Sequence, residues 1–162
     1  MIVAQACLSF LGLTPLWTAD WMWGLPLILA TVIIHVFGMR LTCGRAIRFS
    51  SGTTKSRHAT VVSVVVMGTM TLLATCLHAA EAGIWGAAYR LLGALPNAKS
   101  AMLYSLEAMT SYGHTNLFLV DRWQLMGAME SLNGWLLFGL STAFLFGVIE
   151  KIGLLSTSGS RG

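Results

Sequence analysis

The chain has 162 residues and a mass of 17.4 kDa, and 56% of it is hydrophobic while only 10% is charged, against about 25% charged residues in soluble domains. A soluble globular enzyme of this size is excluded, because too few charged side chains remain to cover its surface. The net charge of +4 does not point to nucleic acid, since five of the ten basic residues, Arg40, Arg45, Arg48, Lys55 and Arg57, fall in one connecting segment that contains no acid.

The first apolar run, Met1 to Ala19, is as hydrophobic as a signal peptide but lacks a basic start and a small-residue cleavage site, so it is expected to be retained. Pro15, Thr18 and Asp20 break it too early for a full span, which predicts a half-inserted or interfacial helix at the outer face. Three further uncharged runs, Trp21 to Met39, Ala59 to Ala80 and Ser131 to Ile149, are 19, 22 and 19 residues long. Each is long enough to cross a hydrocarbon core of about 30 Å. Thr18 and Asp20 are candidate N-caps for the first span, and Pro26 lies in its first turns, where proline is tolerated. By the positive-inside rule the basic segment 40–58 is a cytoplasmic loop, with a turn over Ser50 to Ser56. The span before it then runs out to in, the next in to out, and the last returns to the cytoplasm, in agreement with Lys151 and Arg161. Residues 81–123 carry three acids and three bases and are expected outside. Cys7, Cys43 and Cys76 are scattered without a C-x-x-C pair, so neither a disulfide framework nor a zinc site is suggested. His35, His58 and His78 share no helical spacing and are expected to be bystanders.

The stretch from Leu95 to Trp123 carries the functional signal. Asn97 is a candidate cap, Ala98 to Met109 forms about three helical turns, and Thr110 to Asn116 is too polar and glycine-broken to continue them. Twelve helical residues cover about 18 Å, roughly half a bilayer. A half-span helix followed by an extended polar strand, set between two full spans, is the plan of a re-entrant pore loop, since irregular backbone at membrane depth is tolerated where it lines a cavity. The C-terminal carbonyls of such a helix favour cations. An ordinary external loop with an amphipathic helix is the plainer alternative.

Residues 105–116, Ser-Leu-Glu-Ala-Met-Thr-Ser-Tyr-Gly-His-Thr-Asn, align without a gap on the S-x-E-x-x-T-T-V-G-Y-G-D pattern of simple bacterial potassium channels, and Phe138-Gly139-Leu140-Ser141-Thr142 is similar to the F-G-L-x-T of their inner helix. Trp123 also has a counterpart there. The chain from Ala59 to about Lys151 therefore resembles the bacterial two-helix pore (potassium channel-like) family, with Met1 to Met39 added in front. The resemblance implies an all-α integral membrane fold in the cell (inner) membrane: outer helix 59–80, pore loop 97–116, inner helix 124–150, and a short polar tail 152–162. It implies that Thr110, Ser111, Tyr112, Gly113, His114, Thr115 and Asn116 form the selectivity filter. Glu107 would brace it from behind by pairing with Asn116.

The filter departs from the family pattern. Gly113 keeps one filter glycine, but Thr115 replaces the other, His114 the tyrosine and Asn116 the aspartate. Filter glycines supply unusual φ angles that aim carbonyls at the axis, so weaker potassium preference is expected. His114 either faces the axis or is hydrogen-bonded behind the filter, and Tyr112 is expected to point away from the axis and pack on the pore helix. In the last span, Gly134 and Gly139 are either packing contacts or a gating hinge. Thr142 and Phe146, four residues apart, share a helical face and would line the inner vestibule. Glu130 is an ionisable group within this span, and the sequence assigns it no role.

The expectation is a monovalent cation channel, passing K+ or Na+, without cofactor, resident metal or catalysis. One pore loop per chain requires a closed ring, by family resemblance a homotetramer surrounded by membrane lipid. The alternatives are a small multidrug-type transporter, against which the absence of a carboxylate in Trp21 to Met39 counts, and a non-conducting accessory subunit.

Overall fold

The computed structural model describes the backbone of residues 15–53, 59–113 and 116–159, and the side chains of 18–45, 61–113 and 116–151. Every regular element among the described residues is helical: α1 Pro15–Thr53, α2 Ala59–Leu91, α3 Ala98–Met109, a single 3-10 turn Asp121–Trp123, and α4 Gln124–Gly159. The segments Thr18–Arg45 of α1, Val61–Leu91 of α2, and Asp121–Lys151, which takes in the 3-10 turn and most of α4, are long and apolar enough to cross a membrane. At about 1.5 Å per residue the shortest, with 28 residues, covers about 42 Å. Leu29, Phe37, Val64, Leu72, Leu132 and Leu136 are exposed along these helices, an outer surface suited to acyl chains rather than water.

The helix ends differ from the sequence-based boundaries in four places. The first described helix starts at Pro15, a position where the missing N–H costs nothing, so Thr18, Ala19 and Asp20 lie inside it and neither Thr18 nor Asp20 is its cap. It also runs on through Arg40 to Thr53, where a loop and a turn from Ser50 were expected. Charge asymmetry reports the side of the membrane, not the local backbone, and Arg and Leu are good helix formers. Similarly α2 continues past Ala80 through Glu81 to Leu91, and α4 continues past Glu150 to Gly159, taking in most of the expected polar tail. Residues 1–14, 54–58 and 160–162, including Cys7, Lys55, Arg57, His58 and Arg161, lie outside the described residues. The short helix α3 has the expected bounds.

The chain divides into two compact units, to each of which the three long helices contribute a segment. One comprises Met1–Val32 and Glu81–Trp135, and therefore contains all of α3; the other comprises Ile33–Ala80 and Leu136–Gly162. The second unit has a methionine-rich core of Met39, Val66, Met70, Ala74 and Val148, flanked by Cys43, Leu77, Phe144 and Leu145. Gly38 lets Leu77 approach to 3.0 Å from where its side chain would begin.

In the first unit, helix starts and stops are fixed by polar contacts. Asp20 is buried in α1, and its Oδ1 accepts the Met126 N–H at 3.0 Å. Met126 is the third residue of α4, where a helix has no internal acceptor for its N–H. Asp20 thus caps a different helix from the one in which it sits. At the other end of α2, Ala94 N–H bonds the Tyr89 carbonyl at 2.9 Å and Gly93 N–H the Arg90 carbonyl at 3.3 Å, with Gly93 at φ 66°. This is a Schellman stop with glycine in the left-handed position.

Candidate functional site

The short helix α3 begins and ends on its own chemistry. Asn97 has extended backbone (φ −148°, ψ 162°) and its side-chain oxygen accepts the Ser100 N–H at 2.8 Å, the cap expected from the sequence. At the other end Tyr112 N–H bonds the Glu107 carbonyl and Ser111 N–H the Ala108 carbonyl, each at 3.0 Å. This pair of bonds repeats the Schellman stop of α2, but here the left-handed position is held by Ser111 at φ 53°, where a non-glycine residue is strained by about 1–2 kcal/mol. The Ser111 hydroxyl accepts the Trp135 indole N–H at 2.9 Å, a contact glycine could not make. Gly113 follows at φ 94°, consistent with the need for glycine freedom there.

Three glycines on the long helices make room for α3. A Cβ at Gly134 would overlap the Met109 carbonyl, and one at Gly127 would overlap the Tyr104 hydroxyl. At Gly86 it would lie 3.2 Å from the Ala101 carbonyl oxygen. Gly134 is therefore a packing contact for the end of α3, the first of the two roles considered for it. Ser131 of α4 also donates to the Ala108 carbonyl at 2.9 Å, and Thr110 to the Leu106 carbonyl at 2.7 Å. Much of the carbonyl end of α3 is thus already hydrogen-bonded within the chain.

Behind this helix lies a buried carboxyl that sequence reasoning left unassigned. Glu130 of α4 is fully buried, accepts the Tyr89 hydroxyl of α2 at 2.6 Å, and is hydrogen-bonded to the Ser105 hydroxyl of α3. Ser105 in turn donates to the Ala82 carbonyl of α2 at 2.7 Å. Tyr104, stacked edge-on against Tyr89 with ring centroids 5.4 Å apart, has its hydroxyl pushed up to about 12, mainly by burial. One side-chain cluster therefore joins three helices. The available signal was Ser105 and Glu130 as polar residues in apolar surroundings, but nothing in the sequence pairs them.

Of the positions that the family resemblance would make a selectivity filter, those that are described are exposed within one chain. Thr110, Ser111, Gly113 and Asn116 are exposed, and His114 and Thr115 lie outside the described residues. Tyr112 is 84% exposed, which corrects the expectation that it packs on α3: the left-handed turn at Ser111 swings the chain off the helix. Glu107 is half-buried, whereas Glu130, which contacts α3 through Ser105, is fully buried.

In the second unit, Gly139, Thr142 and Phe146 all lie on the exposed face of α4. Apart from its own helix backbone, no described atom comes within 4 Å of the position of a Cβ at Gly139, and Thr142 donates to the Phe138 carbonyl of its own helix at 2.9 Å. His35 and His78 are not bystanders, while His58 lies outside the described residues. His35 of α1 and His78 of α2 each place Nε2 on the Ser141 hydroxyl of α4, at 3.0 Å and 2.9 Å. Their rings are 4.9 Å apart, and Phe138 stacks on His78 at 4.5 Å. Spacing within a single helix cannot register residues contributed by three. Comparison with protein-family profiles, with curated proteins and with solved structures finds no match to this chain.

Proposed function

We propose that the protein is a monovalent cation channel in which α2, α3 and α4 serve as outer helix, pore helix and inner helix, and in which four copies surround one pore. The observation that carries this reading is α3 itself: a capped twelve-residue helix, shorter than a bilayer, seated on glycines of two long apolar helices and followed by a non-helical segment with Gly113 at positive φ. Such a segment at membrane depth is stable where it lines a wet cavity. Residues 110–113 and 116 are exposed, and they carry carbonyls and hydroxyls of the kind that would replace an ion's hydration shell.

The exposed line of Gly139, Thr142 and Phe146 supports the same reading. Apolar phenylalanine rings around an axis narrow a pore and gate it by dewetting. Beyond its own helix, Gly139 has no neighbour within 4 Å of a Cβ position among the described residues, which leaves the helix free to bend or to meet a second copy. The buried Asp20 is engaged as a helix cap, so it does not supply the free first-span carboxylate that a proton-coupled transporter would use.

Purified protein in planar bilayers under a bi-ionic potassium and sodium gradient tests the proposal. The expected result is cation current with modest potassium preference, and His114→Tyr, Thr115→Gly and Asn116→Asp together should shift the reversal potential toward potassium. Absence of conductance, or anion current, overturns the channel reading. A near-ideal potassium reversal potential in the unmodified protein overturns the account of Thr115.

A further inference from the structure

The hydrogen atoms in the Glu130 cluster can be counted. The Ala82 carbonyl has no hydrogen to give, so the 2.7 Å contact with Ser105 Oγ consumes the one hydrogen that the serine hydroxyl owns. Tyr89 spends its hydroxyl hydrogen on Oε2 of Glu130. The remaining contact, between Glu130 Oε1 and Ser105 Oγ, still needs a hydrogen, and Glu130 is the only member left to provide it. An ionised glutamate would instead force the carbonyl and the carboxylate to compete for one serine hydrogen, leaving two acceptor oxygens pressed together.

The surroundings offer nothing to balance a negative charge. Among the described residues of this unit, the buried titratable groups on the helices around Glu130 are Asp20 on α1, Glu81 and Tyr89 on α2 and Tyr104 on α3; all are acids. Arg90, Lys99 and Arg122 are exposed. A buried anion without a paired cation is costly, whereas a neutral carboxyl with every hydrogen placed is a satisfied group.

We propose that Glu130 carries a proton and, as a neutral acid, is the positioning residue that ties α3 to α2 and α4. The chain of donors runs from Glu130 to Ser105 and from Ser105 to Ala82, while Tyr89 closes the other carboxyl oxygen. The direction of this chain fixes Ser105, and with it the rotation of α3 about its axis. Its consequence for permeation rests on the channel reading, because α3 carries the segment 110–116; the proton itself does not rest on it.

Infrared difference spectroscopy of the full-length protein against Glu130→Gln at neutral pH tests the proton directly. A protonated-carboxyl C=O band, downshifted in D2O and lost in the variant, is expected, and loss of carboxylate bands instead overturns the proposal. Ser105→Ala gives an independent arm: the acid loses its acceptor, so the band must move, and an unchanged band overturns the Glu130 to Ser105 link. Glutamine can donate to Ser105 and accept from Tyr89, so Glu130→Gln should melt within about 2 °C of wild type and keep its reversal potential, while Ser105→Ala should shift that potential. A Glu130→Gln protein that melts as low as Glu130→Ala overturns the neutral-acid assignment. Absent conductance in every form refutes the channel reading and its permeation consequence, while the infrared arms still decide the proton.

Discussion

Single residues in this chain are tolerated or forbidden according to what lies opposite them, and two glycines of one helix make the contrast. Gly134→Ala drives a methyl group into the Met109 carbonyl, which backbone cannot evade without moving α3. Overpacking of this kind costs about 1–3 kcal/mol. Gly139→Ala meets no described atom within 4 Å beyond its own helix and is expected to gain about 0.5–1 kcal/mol from better helix propensity. Melting of the two variants in the same detergent checks the difference, and an equal loss in both would show that Gly139 is packed against a second copy. Ser141→Ala removes the hydroxyl shared by His35 and His78, and the net loss of a buried hydrogen bond costs about 0.5–1.5 kcal/mol. Its melting temperature should fall accordingly, whereas Thr142→Ala, whose hydroxyl serves only its own helix, should leave it nearly unchanged.

At the scale of elements, helix ends are held by side chains drawn from near and far. Asn97 is a local cap, and Asn97→Ala should cost about 1 kcal/mol. Asp20 caps α4 from α1 across a sequence separation of 106 residues, so Asp20→Ala should cost more, about 1–3 kcal/mol, because it strands a buried N–H. Asp20→Asn keeps the acceptor oxygen and should recover most of that loss. Thermal melts of the three variants give the ordering, and a loss as large in Asp20→Asn as in Asp20→Ala would show that charge rather than the hydrogen bond matters. The local cap was legible because its partner is three residues away. The distant one was misread as the cap of its own helix, since a sequence offers an N-cap residue no other candidate.

At the scale of the molecule, the three apolar helices long enough to span among the described residues and a basic segment between the first two set the topology to be tested. With the native cysteines removed, a single cysteine at Lys99 should react with an impermeant external reagent in intact cells, and one at Ser51 only after permeabilisation. The reverse pattern would invert the orientation and remove α3 from the outer face. Assembly is the second property at this scale. Protein in detergent should have a mass of about four subunits, because one short helix per chain cannot encircle an ion and rings close by symmetry. A fully active dimer would contradict the four-fold pore and favour a transporter.

The sequence by itself determined the class of environment, the three long apolar helices seen among the described residues, and both ends of α3, because hydrophobic run length, Asn97 and the polar Thr110 to Asn116 act within a few residues of where they stand. It did not determine where the long helices end, since Arg40 to Thr53 and Glu81 to Leu91 are as compatible with helix as with loop until packing chooses. Only the tertiary structure decided that Gly86, Gly127 and Gly134 serve one short helix, that two distant histidines meet at Ser141, and that Glu130 answers to Tyr89 and Ser105. Those contacts join different helices, and a hydrogen bond at 2.6–3.0 Å depends on their rotation and depth, which no local preference specifies.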